Sequence, residues 1–200
     1  ATIFLIGTSR VFLAVHFPTD VIAGFAVGAG ILLGFLALEG PVGRRVAALP
    51  LSRQVLVAFA GSLALALVSV SALAALGDWQ VPASWAAGAL ERSGQPIHPL
   101  DLRDAVTASG LFFGFAAGAA AAWPARGGMC AAGKGSVRLL CYIFGISVTG
   151  AVWIGFGFLI PPDPVPAACA LQYLRAAAAG AWVSFGAPAI FSRLNLAYRS

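Results

Sequence analysis

The stretch TDVIAGFAVGAGILLGFLAL, Thr19 to Leu38, holds one charged residue, Asp20, one place from its start. About 20 such residues are what a helix needs to cross the ~30 Å hydrocarbon layer of a bilayer, where every backbone N–H and C=O must find a partner within the segment. Comparable runs extend over Ala1–His16, Gln54–Leu76, Ala105–Trp123, Val137–Ile160 and Cys169–Phe191. The first is short, about 24 Å of helix at 1.5 Å per residue, and reads as a shortened span. The fold expected is therefore all-α: a polytopic membrane helix bundle with about six transmembrane segments. Composition agrees, with 60% hydrophobic and only 10% charged residues, where soluble domains carry about a quarter charged.

Prolines mark the corners. Pro18 has no backbone N–H and disfavours helix at Phe17, so the first two runs part there; Pro161-Pro162-Asp163-Pro164 ends the fifth run in the same way. The basic residues then orient the bundle. Arg44, Arg45, Arg53, Arg126, Lys134, Arg138, Arg193 and Arg199 fall on one side of the runs. The other side has Arg92 and Arg103, together with Asp20, Asp78, Glu91, Asp101, Asp104 and Asp163. Positive charge marks the cytoplasmic face, so the Pro18 corner and the 77–104 loop are expected to face outward, toward the periplasm or exterior of a bacterial inner membrane. A net charge of +5, distributed among short loops, is an orientation signal. No nucleic-acid partner is expected.

Small residues recur every four places: Gly24 with Gly28, Gly30 with Gly34, and Gly110, Gly114 and Gly118. That spacing lets helix backbones approach closely in lipid. Cys130, Cys141 and Cys169 form no CxxC pair and read as small apolar filler; no metal site and no cofactor is expected. His98, in QPIHPLDLRD, reads as part of a solvated loop that caps the following helix.

Against this apolar background, Gly7–Asp20 (GTSRVFLAVHFPTD) concentrates an arginine, a histidine and an aspartate. Ionisable groups at membrane depth are costly and tend to serve function. His16 and Asp20 are four places apart across the Pro18 corner. In that position Asp20 can accept a hydrogen bond from one imidazole nitrogen, fix the tautomer and leave the other nitrogen's lone pair free. Asp20 also falls in the first turn of the next helix, where the helix dipole favours an ionised carboxylate. Arg10 offers a planar fork of donors matched to phosphate oxygens. The set amounts to an anion clamp, a nucleophile and the group that orients it.

The pattern Ser9-Arg10-x5-His16-x3-Asp20, followed by Val21-Ile22-Ala23-Gly24, closely resembles the third signature motif of the type 2 phosphatidic acid phosphatase (PAP2) superfamily, integral membrane phosphatases related to the vanadium haloperoxidases. The resemblance implies that His16 is the nucleophile that becomes phosphohistidine and that Asp20 steadies its imidazole. It assigns Arg10, with Ser9 in the phosphate-binding motif, to the phosphoryl oxygens. It implies no metal, a site open at the outer membrane surface, and a membrane lipid phosphate as partner: phosphatidic acid, phosphatidylglycerol phosphate or an isoprenyl pyrophosphate.

The family's other two motifs, Lys-x6-Arg-Pro for phosphate and Pro-Ser-Gly-His for the general acid, are not found in these 200 residues. Both normally precede the third. The expectation is thus an N-terminally truncated portion, inactive by itself. Residues 1–40 would form the C-terminal end of the phosphatase core. Residues 41–200 would be a membrane extension of about four helices, resembling that of some bacterial members at Tyr173-Leu174-Arg175 and Pro188-Ala189-Ile190-Phe191. The alternatives are a non-catalytic PAP2-like protein, an unrelated small-residue-rich transporter or scaffold gated by Arg10 and Asp20, and sugar-phosphate specificity within the same superfamily. Oligomeric state is not legible in the chain.

Overall fold

The computed structural model describes residues 2–13, 17–94, 100–122, 129–131, 135–161, 166–194 and 197–199. Its helices are α1 (Thr2–Phe12), α2 (Pro18–Ala47), α3 (Leu51–Ala75), α4 (Ala83–Ser93), α5 (Arg103–Ala122), α6 (Gly135–Gly157), α7 (Pro166–Ala181) and α8 (Ala187–Arg193). A π-helical turn, Trp182–Gly186, joins α7 to α8. Five helical stretches among the described residues are long and apolar enough to cross a membrane: α2, α3, α5, α6 and the continuous Pro166–Arg193. The polytopic helical bundle is thus present. Within the first expected span, the described helix is the 11-residue α1, about 17 Å long at helical rise.

Three features depart from the sequence expectation. Helix α2 does not stop at Leu38. It runs on through Pro41 to Ala47, 30 residues in all, about 45 Å, and so carries Arg44 and Arg45 beyond a 30 Å apolar layer. The 77–104 segment contains α4, bounded by Pro82 at its N-cap and by Gly94 at φ 68° at its C-cap, the left-handed conformation glycine adopts freely. Met129–Ala131 pairs antiparallel with Ala197–Arg199, a short ribbon added to the helical fold.

The chain divides into two compact units, Ala1–Leu49 and Pro50–Ser200. In the second, the packed interior is made of small side chains. Ala58, Ala122, Cys141, Ala168, Ala176, Ala177, Ala179, Ala187, Ser62, Ser109 and Ser184 are buried, while large side chains such as Leu67, Leu140, Phe158 and Leu174 face outward. This arrangement suits lipid, which solvates leucine as well as a protein core does, so that helices associate through close contact of small residues. The Gly110, Gly114 and Gly118 spacing works as expected. A Cβ at Gly110 would collide with the Tyr173 carbonyl, at Gly114 with the Ala177 carbonyl and at Gly118 with Ser184 Oγ. From the opposite helix, a Cβ at Gly180 would lie 2.6 Å from the Leu111 carbonyl oxygen. Helices α5 and α7 therefore meet backbone to backbone.

Polar bonds fasten this unit at several levels. The fully buried Ser62 hydroxyl of α3 lies 2.7 Å from the Tyr173 hydroxyl of α7, and Phe113 bridges the Phe59 and Tyr173 rings. Gln172 Nε2 donates to Thr107 Oγ1 at 2.6 Å. Trp182 Nε1 donates to the Gly145 carbonyl of α6 at 3.1 Å. The π-helical turn has a local cause. Pro188 has no N–H and its ring crowds the carbonyl four places back, and the turn widens so that Ala187 N–H reaches the Trp182 carbonyl. At the start of α5, Asp101 Oδ1 accepts from Arg103 N–H at 2.9 Å, the cap expected for this loop.

Candidate functional site

The first unit is built around the contact of α1 with α2. Gly7, the buried residue of α1, sits where a Cβ would lie 2.6 Å from the Phe25 ring and 3.0 Å from Val21 Cγ1. The Phe4 and Phe25 rings stack at 6.3 Å and 13°. Ile3, Ile6, Gly7 and Arg10 recur at helical spacing on one face of α1, and Asp20, Val21, Gly24 and Phe25 on one face of α2. Together they line a cavity of about 360 Å³.

Two of the residues singled out by their chemistry thus share one cavity. Arg10 stands in the last turn of α1, where a helix C-terminus favours a cation. Asp20 stands in the first turn of α2, where the N-terminus favours an anion. Both side chains are exposed, and Arg10 makes no ion pair among the described residues. Asp20 is held in place. Its Oδ2 accepts the Phe17 N–H at 3.0 Å, the carboxylate half of a capping box, with Pro18 at the first helical position. This bond turns Asp20 toward residue 17. Sequence reasoning placed Asp20 in the first turn but missed the Phe17 bond. An acid three residues after the N-cap was the available signal.

Ser9 does not line this cavity; its hydroxyl donates to the Ile6 carbonyl of its own helix at 2.8 Å. His16 lies outside the described residues, as do His98, Arg126, Lys134 and Asp163. Among the described residues, no three or more His, Cys, Asp or Glu gather as a metal-binding group.

Comparison with known families gives two matches. The family model described as PAP2 superfamily matches residues 1–43. That described as PAP2 superfamily phosphatase, transmembrane extension, matches residues 106–199. Neither a curated protein nor a solved structure gives a match.

Proposed function

The chain belongs to the PAP2 superfamily of membrane phosphatases, and from that premise we propose that its Arg10–Asp20 cavity is the phosphoryl-transfer end of a lipid phosphatase. The observation that carries the reading is the shared cavity: a guanidinium without an ion pair among the described residues and a fixed carboxylate face the same space, with His16 between them in sequence.

The chemistry follows from these groups. Arg10 binds two phosphoryl oxygens through its paired donors and offsets charge that builds on them as the bond order changes. Asp20, anchored by Phe17 N–H, accepts a hydrogen bond from one ring N–H of His16, which leaves the other ring nitrogen unprotonated. That nitrogen forms an N–P bond while the P–O bond to the lipid breaks, and the departing oxygen takes a proton from a separate acid. Water then attacks phosphorus, the N–P bond breaks, and inorganic phosphate leaves with His16 restored. The general acid belongs to the family's Pro-Ser-Gly-His motif, so the reaction is that of a protein carrying all three motifs. Its substrates would be phosphatidic acid, phosphatidylglycerol phosphate or an isoprenyl pyrophosphate, presented at the outer surface of a bacterial inner membrane.

The test is phosphate release from these lipids, and from glucose 6-phosphate, by the three-motif protein and its His16→Ala variant. A lipid phosphatase hydrolyses at least one lipid in preference to the sugar phosphate, and the variant loses activity by about 10³-fold or more, as removal of a nucleophile does. Undiminished hydrolysis by the variant would overturn the assignment.

A further inference from the structure

One buried-edge cation has no part in that chemistry. Arg175 follows the start of α7 by nine residues, so its Cα lies about 14 Å along the helix from Pro166. Helical side chains lean toward the N-terminus of their helix, and the guanidinium accordingly reaches back to the last turn of α6. There its carbon sits 4.0 Å from the centroid of the Trp153 ring. A Cβ on Gly157, the final residue of α6, would lie only 3.3 Å from Arg175 Nη1. Glycine at 157 thus gives the guanidinium its room.

The hydrogen bonding is incomplete. Among the described residues, Arg175 Nε is shielded from solvent without a hydrogen-bond partner, and no carboxylate pairs with the side chain. A donor so shielded is out of reach of an outside ligand, so an incoming acceptor meets the Nη amino groups. Trp153 covers one face of the guanidinium, and its donors all lie in the plane at right angles to that contact. The geometry therefore favours an anion approaching edge-on, which a phosphate oxygen pair does. The depth identifies its source: the last turn of an apolar span lies where hydrocarbon gives way to headgroups.

We infer that Arg175, Trp153 and Gly157 form a binding site for the phosphate of an anionic phospholipid, in the C-terminal extension and separate from the reaction at Arg10. The site would hold a bilayer lipid as a fixed boundary ligand of α6 and α7. It does not depend on the phosphatase reading, since it uses none of the same residues and needs no turnover.

The experiment is lipid association of this chain reconstituted in phosphatidylcholine vesicles, measured as the motionally restricted fraction of spin-labelled phosphatidylglycerol against spin-labelled phosphatidylcholine. The wild-type chain should prefer the glycerol lipid on the order of five-fold, the effect of one cation at the membrane surface. Equal association of the two lipids would overturn the site without any variant being made. Arg175→Gln should bring the preference to near parity. Gly157→Leu, which keeps the charge but fills the space beside Nη1, should lower it at least two-fold. A five-fold preference retained in Arg175→Gln, or in a folded Gly157→Leu should Arg175→Gln not fold, would sink the proposal. Millimolar glycerol 1-phosphate should leave the bound lipid in place, and its displacement would reassign the site to a soluble anion.

Discussion

The same four-residue glycine spacing has different surroundings in the two units. In Pro50–Ser200, a Cβ on Gly110, Gly114 or Gly118 runs into the backbone or side chains of α7 and the π-helical turn. In Ala1–Leu49, a Cβ on Gly24, Gly28, Gly30 or Gly34 meets no atom of its own unit within 4 Å, and α2 has no buried residue. The contrast extends to charge. The first unit places Arg10 and Asp20 on an open cavity between two short faces. The second spends its polar groups on fastening helices to one another, as Ser62–Tyr173, Gln172–Thr107 and Trp182–Gly145 show. Small-residue spacing therefore reports that close approach is possible. What occupies the groove has to be supplied by a partner surface, and a single helix does not encode it.

The largest test of this division concerns Asp20. Asp20→Asn keeps an acceptor for Phe17 N–H but lets the amide present a donor to His16, which favours the wrong tautomer. In the three-motif protein, phosphate release should fall about 10²–10⁴-fold, as in other oriented-histidine sites, while the unfolding midpoint hardly moves. A comparable loss of stability would show the first unit to be packing through Asp20. Next comes Gly114→Leu, whose side chain has to displace the Ala177 carbonyl. Overpacking of this kind costs about 1–3 kcal/mol or more, and denaturant titration in detergent should show the midpoint falling accordingly. Full stability there would mean that α5 and α7 are not in backbone contact.

Smaller effects sharpen the comparison. Tyr173→Phe removes one of the two partners of a fully buried serine, which keeps its bond to the Phe59 carbonyl, and should destabilise by about 1 kcal/mol in the same titration. Gly28→Ala, by contrast, replaces a poor helix former on an open face and should leave stability unchanged or raise it by about 0.5–1 kcal/mol. A marked loss at Gly28 would show that a surface covers α2 after all.

Much of the architecture could be read before any coordinates. Long apolar runs allow few alternatives in lipid, and the runs beginning at Thr19, Gln54, Ala105, Val137 and Cys169 each correspond to a span-length helical stretch. The misses arise where local rules compete. The second apolar run ends at Leu38, but hydropathy does not set where a helix stops, and one lost backbone bond at Pro41 does not end it before Ala47. Helix α4 is short, ASWAAGALERS, with charge and polarity at its C-terminal end, so hydropathy passes over it although Pro82 and Gly94 punctuate both ends. The π-helical turn needed the position of Pro188 to be weighed against its i−4 carbonyl. At the candidate site, ionisable side chains in an apolar setting pointed to Arg10, His16 and Asp20, of which Arg10 and Asp20 line one cavity and His16 lies outside the described residues, while Ser9, assigned by the motif resemblance, has its hydroxyl on the Ile6 carbonyl.

The glycine seam of α5 has one more effect, on traffic. With carbonyls of α7 pressed against Gly110 and Gly114, no fatty-acyl tail can slide between these two helices without prising apart main chain from main chain. To a bilayer lipid beside the C-terminal extension, whose outer side chains such as Leu140 and Phe158 are exposed, the α5–α7 pair is a wall.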